Sequence, residues 1–223
     1  MDAGSVCRVA ALLNKYSIAA KPFFRADEPL APDTLHALAE TGAAVETACP
    51  AAARQCMEAG LTDRQLFLRL DGQAPETLAA LAGRVRFLAA SPAAVRLLDR
   101  ALDGLLSPGR LAPAGVYLQP DTQTPDAFSA GDIPALSACL RRTRNLTLRS
   151  VVLPLNGASD PAAAADEAFS LIKRLRADIP CQLHSFCLDG LLPRLSGSDA
   201  LIRTLRMLSA LNDSSLYANF YIG

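Results

Sequence analysis

Two kinds of hydrophobic pattern alternate along the chain. Short runs of apolar and β-branched residues are typical of strands buried in a parallel sheet. Between them, Ala- and Leu-rich stretches place an apolar residue at every third or fourth position, as amphipathic helices do. The pattern predicts eight strands, over residues 17–24, 43–47, 66–70, 85–90, 115–119, 146–155, 181–188 and 216–222.

Start and stop residues delimit the helical segments between these strands. Gly42 and Gly60 follow two of them, where a left-handed residue favours the end of a helix. Ser91 and Asp160 each precede a proline, which suits the first turn of a helix. The predicted helices cover residues 8–16, 32–41, 50–59, 91–103, 160–176 and 198–211.

The order of these elements predicts the fold class. Eight strands that alternate with helical segments match an α/β protein with a single (β/α)8 TIM-type barrel, in which each right-handed crossover places a strand beside the previous one. An open doubly wound sheet would favour a Gly-rich turn after its first strand, but residues 21–25 read Lys-Pro-Phe-Phe-Arg. We therefore expect one barrel domain over residues 1–223.

Composition removes several classes of function. The 223 residues contain 22 Lys and Arg against 22 Asp and Glu, without a run of like charge that would bind nucleic acid or an anionic membrane surface. We expect no nucleic-acid partner, no membrane segment and a cytoplasmic protein. The six cysteines form no CxxC pair and the two histidines lie far apart in sequence, so we expect no metal site.

Lys21 is the first candidate for chemistry. Barrel enzymes hold their reactive groups at the carboxyl ends of strands and in the loops that follow. A barrel-facing lysine in the apolar segment 18–22 would be desolvated, which lowers its pKa and lets its amine form a Schiff base. The alternative is a solvated surface lysine, which is the commoner case for a single lysine near a strand end.

Four short segments carry a resemblance to a known family. Residues 19–21, 38–43, 46–49 and 58–60 read Ala-Ala-Lys, Leu-Ala-Glu-Thr-Gly-Ala, Glu-Thr-Ala-Cys and Glu-Ala-Gly. In this order and rough spacing they resemble the pyridoxal-phosphate barrel that ornithine and diaminopimelate decarboxylases share with the N-terminal domain of alanine racemases. The resemblance implies pyridoxal phosphate as cofactor and an amino acid as substrate.

The resemblance also implies roles for individual residues. Lys21 would bind the cofactor as a Schiff base, Glu46 would lie beneath its ring, and Asn219 would face its ring nitrogen. Asn156, Gly157 and Gly190 would line the phosphate. The chain departs from the family at Pro154, where a histidine is usual, at Gly190, which replaces a triple glycine, and in having no C-terminal β domain.

Several interpretations stay open. The leading one is a cofactor carrier or an enzyme of lyase or racemase type, and the alternative is a non-catalytic, degenerate barrel that serves as a protein-binding or regulatory module. A third is a barrel lyase that uses Lys21 without a cofactor. A homodimer or a related protein is the expected partner, through Phe23, Phe24 and Phe220 if these do not fill the core.

Four further groups of residues have two readings each. Arg25, Asp27 and Glu28 form a charged loop beside Lys21 that could bind a substrate or could simply be solvated. Asn156 and Gly157 could instead form a turn that needs positive φ. Tyr117, Gln119 and Asp121 could contact a substrate, although Asp121 also suits a turn. His184, Cys187 and Asp189 suggest a catalytic triad, but a regular strand would point His184 and Cys187 to opposite sides.

Overall fold

The computed structural model describes residues 1–70, 73–107, 109–119, 127–179, 181–216 and 218–223. Its strands are β1 Lys21–Arg25, β2 Ala44–Thr47, β3 Leu66–Arg69, β4 Arg86–Ala89, β5 Ala112–Gln119, β6 Phe128–Ser129, β7 Leu146–Pro154, β8 Ser185–Asp189 and β9 Asn219–Ile222. Its helices are α1 Ala3–Lys15, α2 Pro32–Thr41, α3 Pro50–Glu58, α4 Pro75–Leu81, α5 Pro92–Ala101, α6 Ile133–Leu140, α7 Pro161–Asp178 and α8 Asp199–Ser215.

Eight of the strands form a closed parallel barrel. The hydrogen-bonded order runs from β4 through β3, β2, β1, β9, β8 and β7 to β5, and a further pairing of β4 with β5 closes the ring. Strand β6 pairs only with β5 and lies outside the ring. The predicted α/β barrel is therefore confirmed, with the first and last barrel strands as neighbours.

The barrel separates two apolar cores. Each barrel strand sends one side chain into a central inner layer, made of Phe23, Ala44, Phe67, Leu88, Tyr117, Val152, Cys187 and Tyr221. A larger core lies between the outer faces of the strands and the helices. Phe220 belongs to this outer core and Phe23 to the inner layer, and both are buried. These two phenylalanines therefore fill the cores of the monomer and are not exposed for a dimer contact.

Local signals set the helix ends largely as predicted. Gly42 ends α2 with φ of 65°, and the Ser91 side chain caps α5 by accepting a hydrogen bond from the Ala94 amide. The Asp160 carboxylate accepts from two amides of the first turn of α7. Helix α1 begins five residues earlier than predicted because Asp2 caps it through the Ser5 amide.

The first strand begins later than the apolar run 17–24 predicts. Ser17 has φ of 53°, and the Ile18 amide donates to the Leu13 carbonyl of α1. These residues therefore satisfy their backbone in a turn that ends the helix, and pairing with β9 begins only at Lys21. Strand β8 also begins late, at Ser185.

Candidate functional site

Alternation along the strands identifies the residues at the two openings of the barrel. Successive side chains of a strand point to opposite faces, so the residue two positions after an inner-layer residue also faces inward. At the carboxyl ends this rule selects Arg25, Glu46, Arg69 and Asp189. Each is the last or next-to-last residue of its strand, where barrel enzymes keep their chemistry.

These side chains form a continuous network of ion pairs, which we call the mouth network. Arg25 Nη2 lies 2.6 Å from Asp189 Oδ2, and Arg25 Nε lies 3.3 Å from Glu46 Oε1. Arg69 Nη1 lies 3.3 Å from the same Glu46 oxygen, and Arg69 Nη2 lies 2.8 Å from Asp27 Oδ1. Arg25 thus links two acids from different strands across the opening.

The network mixes buried acids with more exposed bases. The side chain of Glu46 is fully buried, whereas that of Arg25 is 40% exposed. Burial raises the pKa of Glu46, and the neighbouring charge of Arg25 recovers only part of this effect. Burial also raises the pKa of Asp189. Burial alone would lower the pKa of Arg25, but the negative charges of Glu46 and Asp189 outweigh the effect of burial, so the pKa of Arg25 is raised.

Two buried polar atoms beside the network lack partners. Among the described residues, neither Glu46 Oε2 nor the Tyr117 hydroxyl has a hydrogen-bond partner. Burial raises the pKa of Tyr117, and the charge of Glu46 and a hydrogen bond with it raise this pKa further, so the two groups interact with each other outside normal hydrogen-bond geometry. An unsatisfied buried acceptor and hydroxyl are costly and therefore mark a place where a ligand group could bind.

Lys21 lies at the other end of the barrel. It is the first residue of β1, exposed at the amino-terminal opening, and its Nζ lies 3.5 Å from Asn219 Oδ1 at the start of β9. The sequence predicts a strand over residues 17–24 with Lys21 near its carboxyl end. This placement is wrong, because the preceding residues form the turn after α1 and Lys21 is the first residue of β1. The structure brings Lys21 and Asn219 together but separates both from Glu46.

The loops after β7 and β8 bring Asn156 and Gly190 together. Gly190 has φ of 90°, and a Cβ there would lie 2.1 Å from Asn156 Oδ1, so only glycine fits. The amides of Leu191 and Leu192 both donate to the Gly223 carbonyl at 2.7 Å. The backbone donors that could have met a phosphate are therefore used within the chain.

Gly157 has a different setting from the one expected. No atom lies within 4 Å of a Cβ built on Gly157, and neither Asn156 nor Gly157 has positive φ. Their turn is instead held by Arg194, whose Nη2 donates to the Asn156 carbonyl at 2.7 Å and whose Nη1 donates to the Ala158 carbonyl. The positive-φ explanation for this pair is therefore wrong.

These groups do not fit pyridoxal phosphate at the carboxyl end. The chain has three lysines; Lys15 ends α1, Lys173 lies in α7 and Lys21 opens β1. None of them stands at the end of a strand, where Arg25 is found instead. The amides of Leu191 and Leu192 are also engaged.

The remaining candidates of the sequence are placed as follows. Cys187 is buried in the inner layer, while His184 precedes β8. Burial raises the pKa of Cys187 well above its usual value, which disfavours a thiolate nucleophile. Tyr117 and Gln119 lie in β5, and Asp121 lies outside the described residues. Within those residues no three metal-ligating side chains cluster, and no helix is long and apolar enough to cross a membrane.

No family model matches the chain, and no curated protein matches it in sequence. Solved structures do match. Lysine decarboxylase from Selenomonas ruminantium is 16% identical with a TM-score of 0.72, over 99% of this chain and 59% of that one. Arginine decarboxylase from Paramecium bursaria Chlorella virus, bound to agmatine, is 8% identical with a TM-score of 0.75, over 99% and 62%.

Diaminopimelate decarboxylase from Helicobacter pylori, complexed with L-lysine, is 11% identical with a TM-score of 0.72, over 99% and 61%. The barrel therefore shares its fold with these decarboxylases. The resemblance seen in the sequence is thus confirmed for the fold. An SrLDC mutant in complex with PLP also matches, with a TM-score of 0.69. The chain spans about 60% of the decarboxylase-type structures, and the comparisons do not support the protein-binding alternative.

Sequence reasoning missed most of the mouth network. It noted Arg25 and Asp27 only as part of a charged loop, and it did not place Arg69 or Asp189 at the opening. Their shared signal is positional: Arg25, Arg69 and Asp189 are each the last residue of a strand. Counting inward positions along each strand from its true start would have found them.

Proposed function

We propose that this decarboxylase-like barrel binds an α-amino acid at its carboxyl end by ion pairing, without a Schiff base to pyridoxal phosphate. The observation that carries the proposal is Arg25, which faces inward where the strand ends and joins Glu46 to Asp189. A guanidinium in this position can pair with a carboxylate but cannot form a Schiff base. Binding at this opening therefore depends on charge complementarity.

Both ends of a zwitterion find complementary groups in the mouth network. A ligand carboxylate would pair with Arg25, whose side chain is 40% exposed. A ligand ammonium would donate to Glu46 Oε2 and the Tyr117 hydroxyl, which interact with each other but have no partner of normal hydrogen-bond geometry among the described residues. Because Glu46 and Tyr117 are buried, these contacts would be stronger than the same contacts in water.

The structural neighbours support the ligand class. They are decarboxylases of lysine, arginine and diaminopimelate, and two of them contain agmatine or L-lysine. Because their identity is low, 8–16% in these cases, these neighbours support the barrel fold but do not show that the residues of their sites are shared. The charges of the mouth network therefore support an amino acid as the ligand, and the ligands of the neighbours support the presence of an amine.

Calorimetric titration with L-lysine, L-arginine and agmatine tests the proposal. Agmatine lacks the carboxylate, so the two amino acids should bind more tightly if Arg25 holds that group. Arg25→Gln should weaken binding of the amino acids by about tenfold or more, as expected for the loss of a charge-assisted hydrogen bond. Arg203→Gln, an exposed change in α8, is the matched control. Equal binding of agmatine and L-lysine would contradict the role of Arg25.

The sequence prediction of a Schiff base on Lys21 stays a prediction, and it makes a contrasting claim. Absorbance spectra with added pyridoxal phosphate, followed by borohydride reduction and peptide mapping, separate the two. We expect labelling of Lys21 no greater than that of Lys15 and Lys173. A selective adduct on Lys21 that disappears in Lys21→Ala, together with a defined absorbance band, would overturn the non-covalent proposal.

A further inference from the structure

A second group of charges lies at the amino-terminal opening of the barrel. The residue two positions before an inner-layer residue also faces inward, which selects Lys21, Arg86, Ser150, Ser185 and Asn219. A cavity of about 390 Å³ opens here, and Arg64, His184, Asp213 and Asn219 are among the residues that line it. This volume is at the lower end of the range for small-molecule sites.

Arg86 is the unusual member of this group. Its side chain is fully buried, and its Nη1 donates to the hydroxyls of Ser150 and Ser185. Its Nη2 lies 3.6 Å from Asp63 Oδ2, beyond hydrogen-bond distance. Among the described residues, Nε and Nη2 therefore have no hydrogen-bond partner, although the guanidinium also lies over the Phe67 ring.

A buried guanidinium whose Nε has no polar partner among the described residues, and whose Nη2 meets only the more distant Asp63 carboxylate, is energetically costly unless another anion completes its bonding. The cavity adjoins this position, because Asn219 lines the cavity and is the register partner of Ser185, which accepts from Arg86.

The charge around the cavity is predominantly positive. Arg64 lines it and Lys21 contacts Asn219 at its edge. Burial and then the charges of Arg149, Arg86 and Arg64 lower the pKa of His184, while Asp63 opposes them. These bases outnumber the acids of the group, Asp63 and Asp213. An anion entering the cavity would therefore relieve repulsion among several cations.

We propose that the amino-terminal opening binds a small ligand through an oxyanion group, a phosphate or a carboxylate, that pairs with Arg86 and Arg64. The cavity exceeds the size of a bare ion, so the group belongs to a small organic molecule. This site lies at the opposite end of the barrel from the mouth network and does not rest on the amino-acid proposal. Variants at one end therefore report independently of the other.

Titration calorimetry with sulfate and with acetate tests the proposal. Sulfate stands in for a phosphate group and acetate for a carboxylate, and both keep a constant charge above pH 6. We expect saturable binding of at least one probe at constant ionic strength, set with chloride. Arg64→Gln should weaken that binding by about tenfold, the usual effect of losing one charge-assisted contact. Tighter binding of sulfate than of acetate would identify the group as a phosphate, and tighter binding of acetate would identify it as a carboxylate.

Three further variants make the result decisive. Arg86→Met removes the buried charge and should weaken binding of the probe. If this variant does not fold, the double variant Arg64→Gln and His184→Gln takes its place. Arg203→Gln should leave binding unchanged, because Arg203 lies on α8 outside the cavity lining. Absence of saturable binding by the unmodified protein, or equal weakening by Arg203→Gln, would overturn the proposal.

Discussion

At the scale of single residues, Glu46 dominates the electrostatics of the carboxyl-terminal opening. It is fully buried, yet both of its arginine partners retain contact with water, at 40% and 25% exposure. The carboxylate therefore loses more hydration than the arginines do, which explains why its pKa rises although it is paired. The same carboxylate keeps the two guanidinium groups together at the centre of the opening.

Replacing Glu46 should destabilise the fold more than replacing its exposed counterpart. We expect Glu46→Ala to lower the free energy of unfolding by about 1–3 kcal/mol, because it leaves a cavity and removes the side chain that Arg25 and Arg69 share. Asp27, the other acid of Arg69, is 60% exposed, and Asp27→Asn should cost less than about 1 kcal/mol. Urea unfolding measures both values, and equal effects would mean that burial of Glu46 adds nothing.

The two histidines provide a matched pair for a pH experiment. Burial and neighbouring arginines lower the pKa of His184 below 6.5 in the folded protein. The folded state therefore binds fewer protons than the unfolded state, so stability is complete above pH 6.5 and is lost as the pH falls toward the folded-state pKa.

Chemical unfolding in sulfate-free buffer between pH 7.5 and 5.5 should detect this contribution. His184→Gln should flatten the decline in stability on acidification. His36→Gln is the control, because His36 is exposed on α2 and pairs with Glu40. If both variants follow the pH profile of the unmodified protein, the His184 side chain is not responsible for the decline.

At the scale of elements, the sequence predicts which segments are strands better than where they begin. All eight barrel strands were found because continuous apolar runs indicate burial on both faces. The start of β1 was missed by four residues, since the turn after α1 is as apolar as the strand and only the positive φ of Ser17 separates them. That shift placed Lys21, and not Arg25, at the expected site of chemistry.

Loop contacts across the barrel were beyond sequence reasoning for a different reason. Asn156 and Gly190 lie 34 positions apart, and their proximity depends on β7 and β8 being neighbours in register. The engagement of Leu191 and Leu192 by Gly223 likewise depends on β9 reaching the same opening. Neither contact has a local pattern, so motif spacing alone could not show that these amides are occupied.

The cap of α7 gives a prediction at this scale. Asp160 accepts hydrogen bonds from the Ala162 and Ala163 amides, at 2.9 and 3.1 Å. Asp160→Ala should lower the free energy of unfolding by about 1 kcal/mol, as loss of such a cap usually does. Asp166→Ala removes an exposed acid inside the same helix and should have a smaller effect. An equal loss in both variants would assign the effect to helix charge and not to capping.

At the scale of the whole molecule, closure of the ring joins the two ends of the described chain. Strand β9 lies between β8 and β1, so the barrel is complete only when its last strand inserts beside its first. Phe220 of β9 stacks on Phe186 of β8 at 4.7 Å, and Phe169 of α7 meets Phe186 at 5.8 Å. These ring contacts pack β9, the strand that closes the ring, against the outer core.

Closure predicts that the barrel unfolds as one unit. Phe220→Leu removes aromatic stacking and should lower the free energy of unfolding by about 1 kcal/mol. In native-state hydrogen exchange, the slowest amides of β4, across the ring, should lose the same free energy as those of β8 and β9, because all of them exchange through global unfolding. Leu97→Ala, at a side chain that is 60% exposed, is the control. Faster exchange confined to β8, β9 and β1 would instead show that the closing strand detaches on its own, and that the rest of the barrel persists as an open sheet.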